Sequence, residues 1–270
     1  MTGDDITNTL FLTNGSRVDT QDATALLVTG GNHDFTLRDA QVTARRGGVE
    51  DGGLLLHARA IDVTSGGNTT TIEAGQVNLD AAGSTLVGDI LADSGVVDVA
   101  LKNSSVLTGA LISRGGRINS LGVDATSTWN VRGDSSFGVL NNAGTVSFVA
   151  PDAHAGFKTV TVNDYAGGGT LVMNTRLGDD SSLTDKLVID GGSTSGTTAM
   201  RIVNAGGAGG QTTQGIRWWK RSTEAPPRRK RFAWTPGRRA TALAREPSRS
   251  MAMTTAWCAA APMAWRQTGT

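Results

Sequence analysis

Short apolar beats recur along the chain about every 22 residues, the kind of fixed period that marks a repeat architecture. Val77-Asn78-Leu79, Val99-Ala100-Leu101 and Leu121-Gly122-Val123 follow one another at this period, and so do Leu86, Leu107 and Trp129. Ser84-Thr85-Leu86-Val87-Gly88-Asp89-Ile90 and Ser105-Val106-Leu107-Thr108-Gly109-Ala110-Leu111 are nearly the same sequence written one period apart. Within each period short alternating runs read as strands, and the Gly, Asn, Asp and Ser between them read as turns. Helical periodicity is missing and Thr, Val, Gly and Asp dominate, which argues against a helical or leucine-rich repeat.

A period of this length is one turn of a parallel β-helix, in which coils stacked about 4.8 Å apart place equivalent apolar residues in internal columns. The expected fold is all-β: a right-handed single-stranded parallel β-helix over residues 1–126. Leu10-Phe11-Leu12, Phe35-Thr36-Leu37 and Ile61-Asp62-Val63 carry the same beat at irregular spacing, so longer loops are expected upstream. Trp129, which has no other tryptophan ahead of Trp218, is expected to plug the core at a seam. Beyond it, residues 145–149, 157–162, 170–175, 186–189 and 200–204 are strand candidates, with 163–169 as a turn and the glycine-rich 205–210 as a flexible link. An open solenoid end exposes strand edges that invite aggregation, and these strands are expected to cover it.

Thr128-Trp129-Asn130-Val131, Gly133-Asp134-Ser135 and Leu140-Asn141-Asn142-Ala143-Gly144-Thr145-Val146 resemble the C-terminal segment of pertactin-like autotransporter passenger domains. The likeness continues through Phe157–Tyr165, Gly168–Thr175 and Asp185–Ile189, while residues 1–126 are similar only as a generic repetitive β passenger. The resemblance implies that 127–215 is a cap, or autochaperone-type segment, whose folding seeds the β-helix, with Trp129, Leu140, Val146, Phe157 and Leu187 in its core. It implies type V secretion, display at the cell surface or outer membrane, and adhesion or host contact through a host cell-surface receptor or matrix. In intact members an outer-membrane β-barrel follows the passenger.

Composition adds a division. Residues 216–270 hold 12 of the 25 Lys/Arg but 2 of the 24 Asp/Glu, so a net charge of +1 joins an acidic body to a basic tail. Cys258 is the one cysteine, and it lies in that tail. A body without cysteine forms no disulfide, which suits a chain exported unfolded. No apolar run long enough to span a membrane and no basic start followed by an apolar stretch occur, so neither a membrane helix nor a signal peptide is expected within these residues.

Trp218-Trp219-Lys220-Arg221 and Arg228-Arg229-Lys230-Arg231 have the basic, aromatic-interleaved pattern of a nucleic-acid binder. A frameshift explains the tail better. Trp has one codon, so reading from the third base turns Trp218-Trp219-Lys220 into Val then Glu, and the codons through Pro227 permit Val-Glu-Ala-Val-Asn-Gly-Gly-Thr-Thr. Shifted readings of 230–235, 253–260 and 267–270 likewise resemble, in order, the segments leading from such passengers towards the barrel. The expectation is a chain truncated and frameshifted after about residue 216, with a disordered tail that does not fold onto the body and binds no nucleic acid.

Candidate chemistry is sparse. Arg132-Gly133-Asp134 is the tripeptide of integrin-binding loops, but here Gly-Asp-Ser reads as an ordinary turn. Asp80, Asp89, Asp93 and Asp98 are the acidic residues a β-helical polysaccharide lyase or hydrolase would use, and they are expected at turns without a histidine neighbour. His33, His57 and His154 are expected on surfaces or loops, far from metal-ligand spacing. Asp179-Asp180-Ser181-Ser182 lacks the glycine and terminal glutamate of a calcium loop. The reading is a scaffold without enzymatic activity, cofactor or metal, with the β-helix enzyme as the alternative.

Overall fold

The computed structural model describes residues 7–46, 53–152 and 155–222. Every regular element among them is a strand. Among the described residues the chain winds through eight successive coils. The first coil is β1 (Thr7–Leu12), β2 (Arg17–Gln21) and β3 (Leu26–Thr29); the second is β4 (Gly31–Arg38), β5 (Gln41–Arg45) and β6 (Leu54–Arg59). A hairpin, β7 (Ile61–Ser65) and β8 (Asn68–Ile72), interrupts the winding. The third coil is β9 (Ala74–Ala82), β10 (Thr85–Val87) and β11 (Asp89–Ala92), and the fourth β12 (Val96–Lys102), β13 (Val106–Gly109) and β14 (Leu111–Ser113). β15 (Arg117–Val123), β16 (Thr128–Val131) and the start of β17 (Ser135–Asn142) make the fifth. The rest of β17, β18 (Thr145–Phe148) and the start of β19 (Thr159–Gly167) make the sixth. The end of β19, β20 (Thr170–Thr175) and β21 (Lys186–Asp190) make the seventh, and β22 (Thr194–Ser195), β23 (Ala199–Asn204) and β24 (Trp219–Ser222) the eighth.

Each coil adds one strand to each of three parallel ladders, so this is a parallel β-helix with three faces. β17 and β19 turn a corner without breaking and serve both the third and the first face. On the first face Leu10, Phe35, Leu79, Val99, Leu121, Leu140 and Tyr165 stack in one column. On the second, Val18, Val42, Leu86, Leu107, Trp129, Val146 and Leu171 do the same. Apart from Leu10, which is exposed in the first coil, these residues feed one continuous apolar core. Burying each such side chain contributes about 1.5–3 kcal/mol, and this repeated gain is what drives the stacking.

The serines of the repeated heptamers form a column of their own. Ser84, Ser105 and Ser127 are buried at the corner between the first and second faces. The Ala40 N–H donates to Ser84 Oγ at 3.1 Å, the Ser84 N–H to Ser105 Oγ at 3.1 Å and the Ser105 N–H to Ser127 Oγ at 3.2 Å. Each hydroxyl thus satisfies a backbone donor that the turn removes from the ladder.

Several expectations are corrected here. Val77 stacks on Val97 and Leu79 on Val99, a register two positions shorter than the beat predicts, whereas Leu101 does sit on Val123 as expected. A slip of two keeps every inward residue inward, so the apolar beat alone cannot separate the two registers. Ile61-Asp62-Val63 is not a rung: it is the exposed first strand of the hairpin. Residues 163–167 do not turn; they continue β19, because Tyr165 faces inward against Leu140. Beyond Trp129 three further coils extend the same ladders. The Trp129 indole Nε1 donates to Gly109 O at 3.0 Å and its ring meets Phe137 edge-on at 5.7 Å. Trp129, Leu140, Val146 and Leu187 are buried, and Phe157 is half-buried on the connection ahead of β19, outside the buried core.

Candidate functional site

The hairpin is the most exposed projection of the described chain. Ser65 pairs with Asn68 around Gly66-Gly67, whose φ values of 58° and 81° are those of a type I′ turn, a geometry that matches strand twist and that glycine adopts without strain. Thr71 Oγ1 donates to Asp62 Oδ1 at 2.6 Å, and the Thr64 and Thr69 hydroxyls lie 2.9 Å apart. Its base is seated: a Cβ at Gly30 would fall 2.8 Å from Ile72 Cγ2. A Gly-Gly pair between Thr-rich alternating runs was the available signal.

Arg132-Gly133-Asp134 forms the corner between β16 and β17, not a projecting loop. Asp134 Oδ1 accepts the backbone N–H of Thr159, one coil on, at 2.7 Å. Burial lowers the Arg132 pKa against the pull of the Asp152 carboxylate.

The four candidate carboxylates do not converge. Asp80 pairs with Arg38 and Lys102 at 3.3 and 2.9 Å from the coils on either side. Asp89 Oδ1 accepts the Ala110 N–H at 2.7 Å, and burial raises its pKa. Asp98 binds Gln76 and Asn119 at 2.7 and 2.8 Å. Asp93 does have a histidine: His57 Nε2 lies 2.9 Å from its Oδ2, and Arg114 clamps it with two bonds of 2.6 Å. The Arg114 bonds, against burial and with help from His57, lower the Asp93 pKa. His57 is therefore a strand residue, as is His33, whose Nε2 reaches Gly30 O at 2.9 Å and whose ring stacks on Phe35. His154 lies outside the described residues. Among the described residues no group of three or more His, Cys, Asp or Glu could hold a metal ion.

The last three coils contain a different kind of core. Asp185 is fully buried. Its Oδ1 accepts the Lys158 N–H at 2.8 Å, and its Oδ2 accepts both the backbone N–H and the side-chain Nδ2 of Asn174, at 2.7 and 2.8 Å. Asn174 Nδ2 also reaches Phe148 O at 2.9 Å, and buried Lys158 donates its Nζ to Val149 O at 2.7 Å. The network ties the loops after β18 and β20 to strands of the sixth and seventh coils. Burial lowers the Lys158 pKa, partly offset by the charge of Asp185.

The tail joins this end. Trp218 Nε1 donates to Thr175 Oγ1 at 2.7 Å, and 219–222 pair with β21. The expectation that nothing after 216 folds onto the body therefore fails for 216–222; residues 223–270 lie outside the described residues. The Asp180 carboxylate accepts the successive N–H groups of Thr213, Gln214 and Gly215 at 2.8 to 3.1 Å, strapping the approach to β24. These amide bonds hold its pKa down. Asp180 is thus spent on the strap backbone, and Asp179 on the N–H and hydroxyl of Ser181.

A three-faced parallel β-helix is the fold that the resemblance to autotransporter passengers implies. The comparisons agree. Residues 135–233 match the family model Autochaperone Domain Type 1. The chain is 30% identical over 213 residues to the adhesin BmaC autotransporter of Brucella suis biovar 1 (strain 1330), covering 70% of this chain and 6% of that protein. It is 41% identical over 68 residues to the autotransporter adhesin AIDA-I of Escherichia coli, covering 24% and 5%, and 40% identical over 83 residues to the probable autotransporter YfaL of E. coli strain K12, covering 29% and 6%. This chain is an autotransporter passenger segment carrying an autochaperone region, and it spans about 6% of the length of these relatives.

Proposed function

We propose that this chain is a non-enzymatic, surface-displayed scaffold that contributes to adhesion. Two of the relatives are named adhesins. The inward positions of the second to seventh coils are used for packing, and the candidate carboxylates for bonds between coils, so interaction falls to what projects. The observation that carries the reading is the hairpin Ile61–Ile72: tight at its turn, anchored at its base, and exposed on nearly every residue. Loops held on a stiff scaffold are where binding specificity resides. On this reading the ligand is a host cell-surface receptor or matrix component, and the parent protein carries the passenger outside the cell on its outer-membrane barrel. The last coils serve assembly: the network around Asp185 pins the register from which upstream coils stack.

Replacing residues 62–71 by a two-glycine link tests the display reading. Host-cell attachment by bacteria carrying the parent passenger is expected to fall while its surface level and melting temperature hold. Unchanged attachment would remove the hairpin from the contact.

A further inference from the structure

We propose that the outer surface of the third face, at its last two coils, binds the anionic group of an acidic glycan. Lys186 and Val188 project outward from β21, and Lys220 lies beside Val188 on β24. With Arg217, Gln214, Gly215 and Asp180 they line a concavity of about 310 Å³. That is near the lower end of the ~300–1,000 Å³ range of ligand clefts, the scale of one charged sugar residue rather than a polymer channel.

Charge accounting points to an anion. Several basic side chains elsewhere have partners, Arg38 and Lys102 on Asp80, Arg114 on Asp93, Lys158 and Arg221 on backbone carbonyls, while Arg59, Arg117, Arg176 and Arg201 are exposed and lie outside this concavity. Lys186, Arg217 and Lys220 have neither an ion pair nor a side-chain hydrogen bond to any described residue. The one carboxylate in the wall, Asp180, is engaged by three backbone N–H groups. Three cations face one spent anion, so a sulfate or carboxylate entering here gains charge-assisted bonds without displacing existing ones.

The same geometry disfavours single-stranded nucleic acid, which binds such grooves by stacking bases on aromatic rings. Trp218 packs against the core with its Nε1 on Thr175, Trp219, 37% exposed, pairs in register with Leu187, and neither lines the concavity. Gln214 and the strap backbone supply neutral hydrogen-bonding groups for hydroxyls.

The proposal adds a ligand class to the display reading on a surface separate from the hairpin, so either can fail alone. The full chain is titrated with a sulfated heparin oligosaccharide, an oligogalacturonate bearing carboxylates, a neutral dextran oligosaccharide and a single-stranded oligonucleotide of matched charge. Lys186→Glu/Lys220→Glu is expected to weaken binding of the sulfated or carboxylated glycan about tenfold or more, the loss of charged hydrogen bonds. Arg228→Glu/Arg229→Glu, equal in charge change, is expected to alter it less than about twofold on the same scale. The stronger of the two glycan arms names the anionic group. Lys186→Gln/Lys220→Gln repeats the test with charge removed rather than reversed. Equal weakening in both charge-reversed pairs, no weakening in the Lys186/Lys220 pairs, or tighter binding of the oligonucleotide overturns the proposal.

Discussion

Asn174 meets one oxygen of Asp185 twice, through its backbone N–H at 2.7 Å and its side-chain amide at 2.8 Å. The other oxygen holds the Lys158 N–H, so one buried carboxylate fixes two chain segments. Asp185→Ala strands two buried backbone donors at about 1–3 kcal/mol each, so a destabilisation of about 2–6 kcal/mol is expected. Hydrogen exchange locates it: amides of β20 and β21 should lose protection first, with those of β10 and β13 unaffected. Uniform loss along all coils would contradict a role confined to the last ones.

Much of this arrangement is legible in the chain, and the rest is hidden for identifiable reasons. The repeated heptamers predict the pairing of Leu86 with Leu107 and Ile90 with Leu111, because a solenoid makes sequence period and spatial neighbour the same thing. The hairpin breaks that identity. His57 and Asp93 are far apart in sequence and occupy adjacent coils only because 61–72 is looped out, so their contact has no visible period. The Asp185 network is hidden differently: Lys158, Asn174 and Asp185 flank connections of unequal length, and no local pattern marks a lysine or an aspartate as buried. Phe157 and Lys158 invert ordinary expectation, the aromatic half-exposed and the cation inside.

Ser105 has a legible position but a role that only the structure gives. Its hydroxyl accepts the Ser84 N–H and donates to Lys102 O at 2.7 Å. Ser105→Ala removes both bonds inside the corner, leaving a buried donor without an acceptor, and is expected to lower stability by about 1–3 kcal/mol. Ser104→Ala, next door and exposed, should change it by less than about 0.5 kcal/mol. Urea melts of the two variants compare them directly, and equal losses would reject the serine column as a stabilising element.

Acid should loosen the first corner through Asp124. Burial would raise this carboxyl, but the Asn103 N–H at 2.7 Å, with the Ser127 and Thr126 groups, holds its pKa at about 2 against an ordinary 3.8. Between those values the unfolded chain takes up a proton that the folded chain refuses, so the contribution is fully present above about pH 4 and is lost as pH falls through about 2. Asp124→Asn should be less stable than the parent at pH 6 and converge with it near pH 2. A stability difference that stays constant over that interval would rule the linkage out.

Asp134 separates an adhesive tripeptide from a corner bond. A receptor that reads Arg-Gly-Asp needs the carboxylate free, whereas here Oδ1 takes the Thr159 N–H and joins the fifth coil to the sixth. Asp134→Glu moves the carboxylate by one methylene, and Asp134→Asn keeps an acceptor in place while removing the charge. A structural role predicts that Glu reduces protection of the Thr159 amide, that Asn largely preserves it, and that host-cell attachment is the same for parent and both variants. A receptor role predicts that attachment falls in both, the Asn variant included, although its corner is intact. The two readings diverge on the Asn variant, and attachment measured with it decides between them.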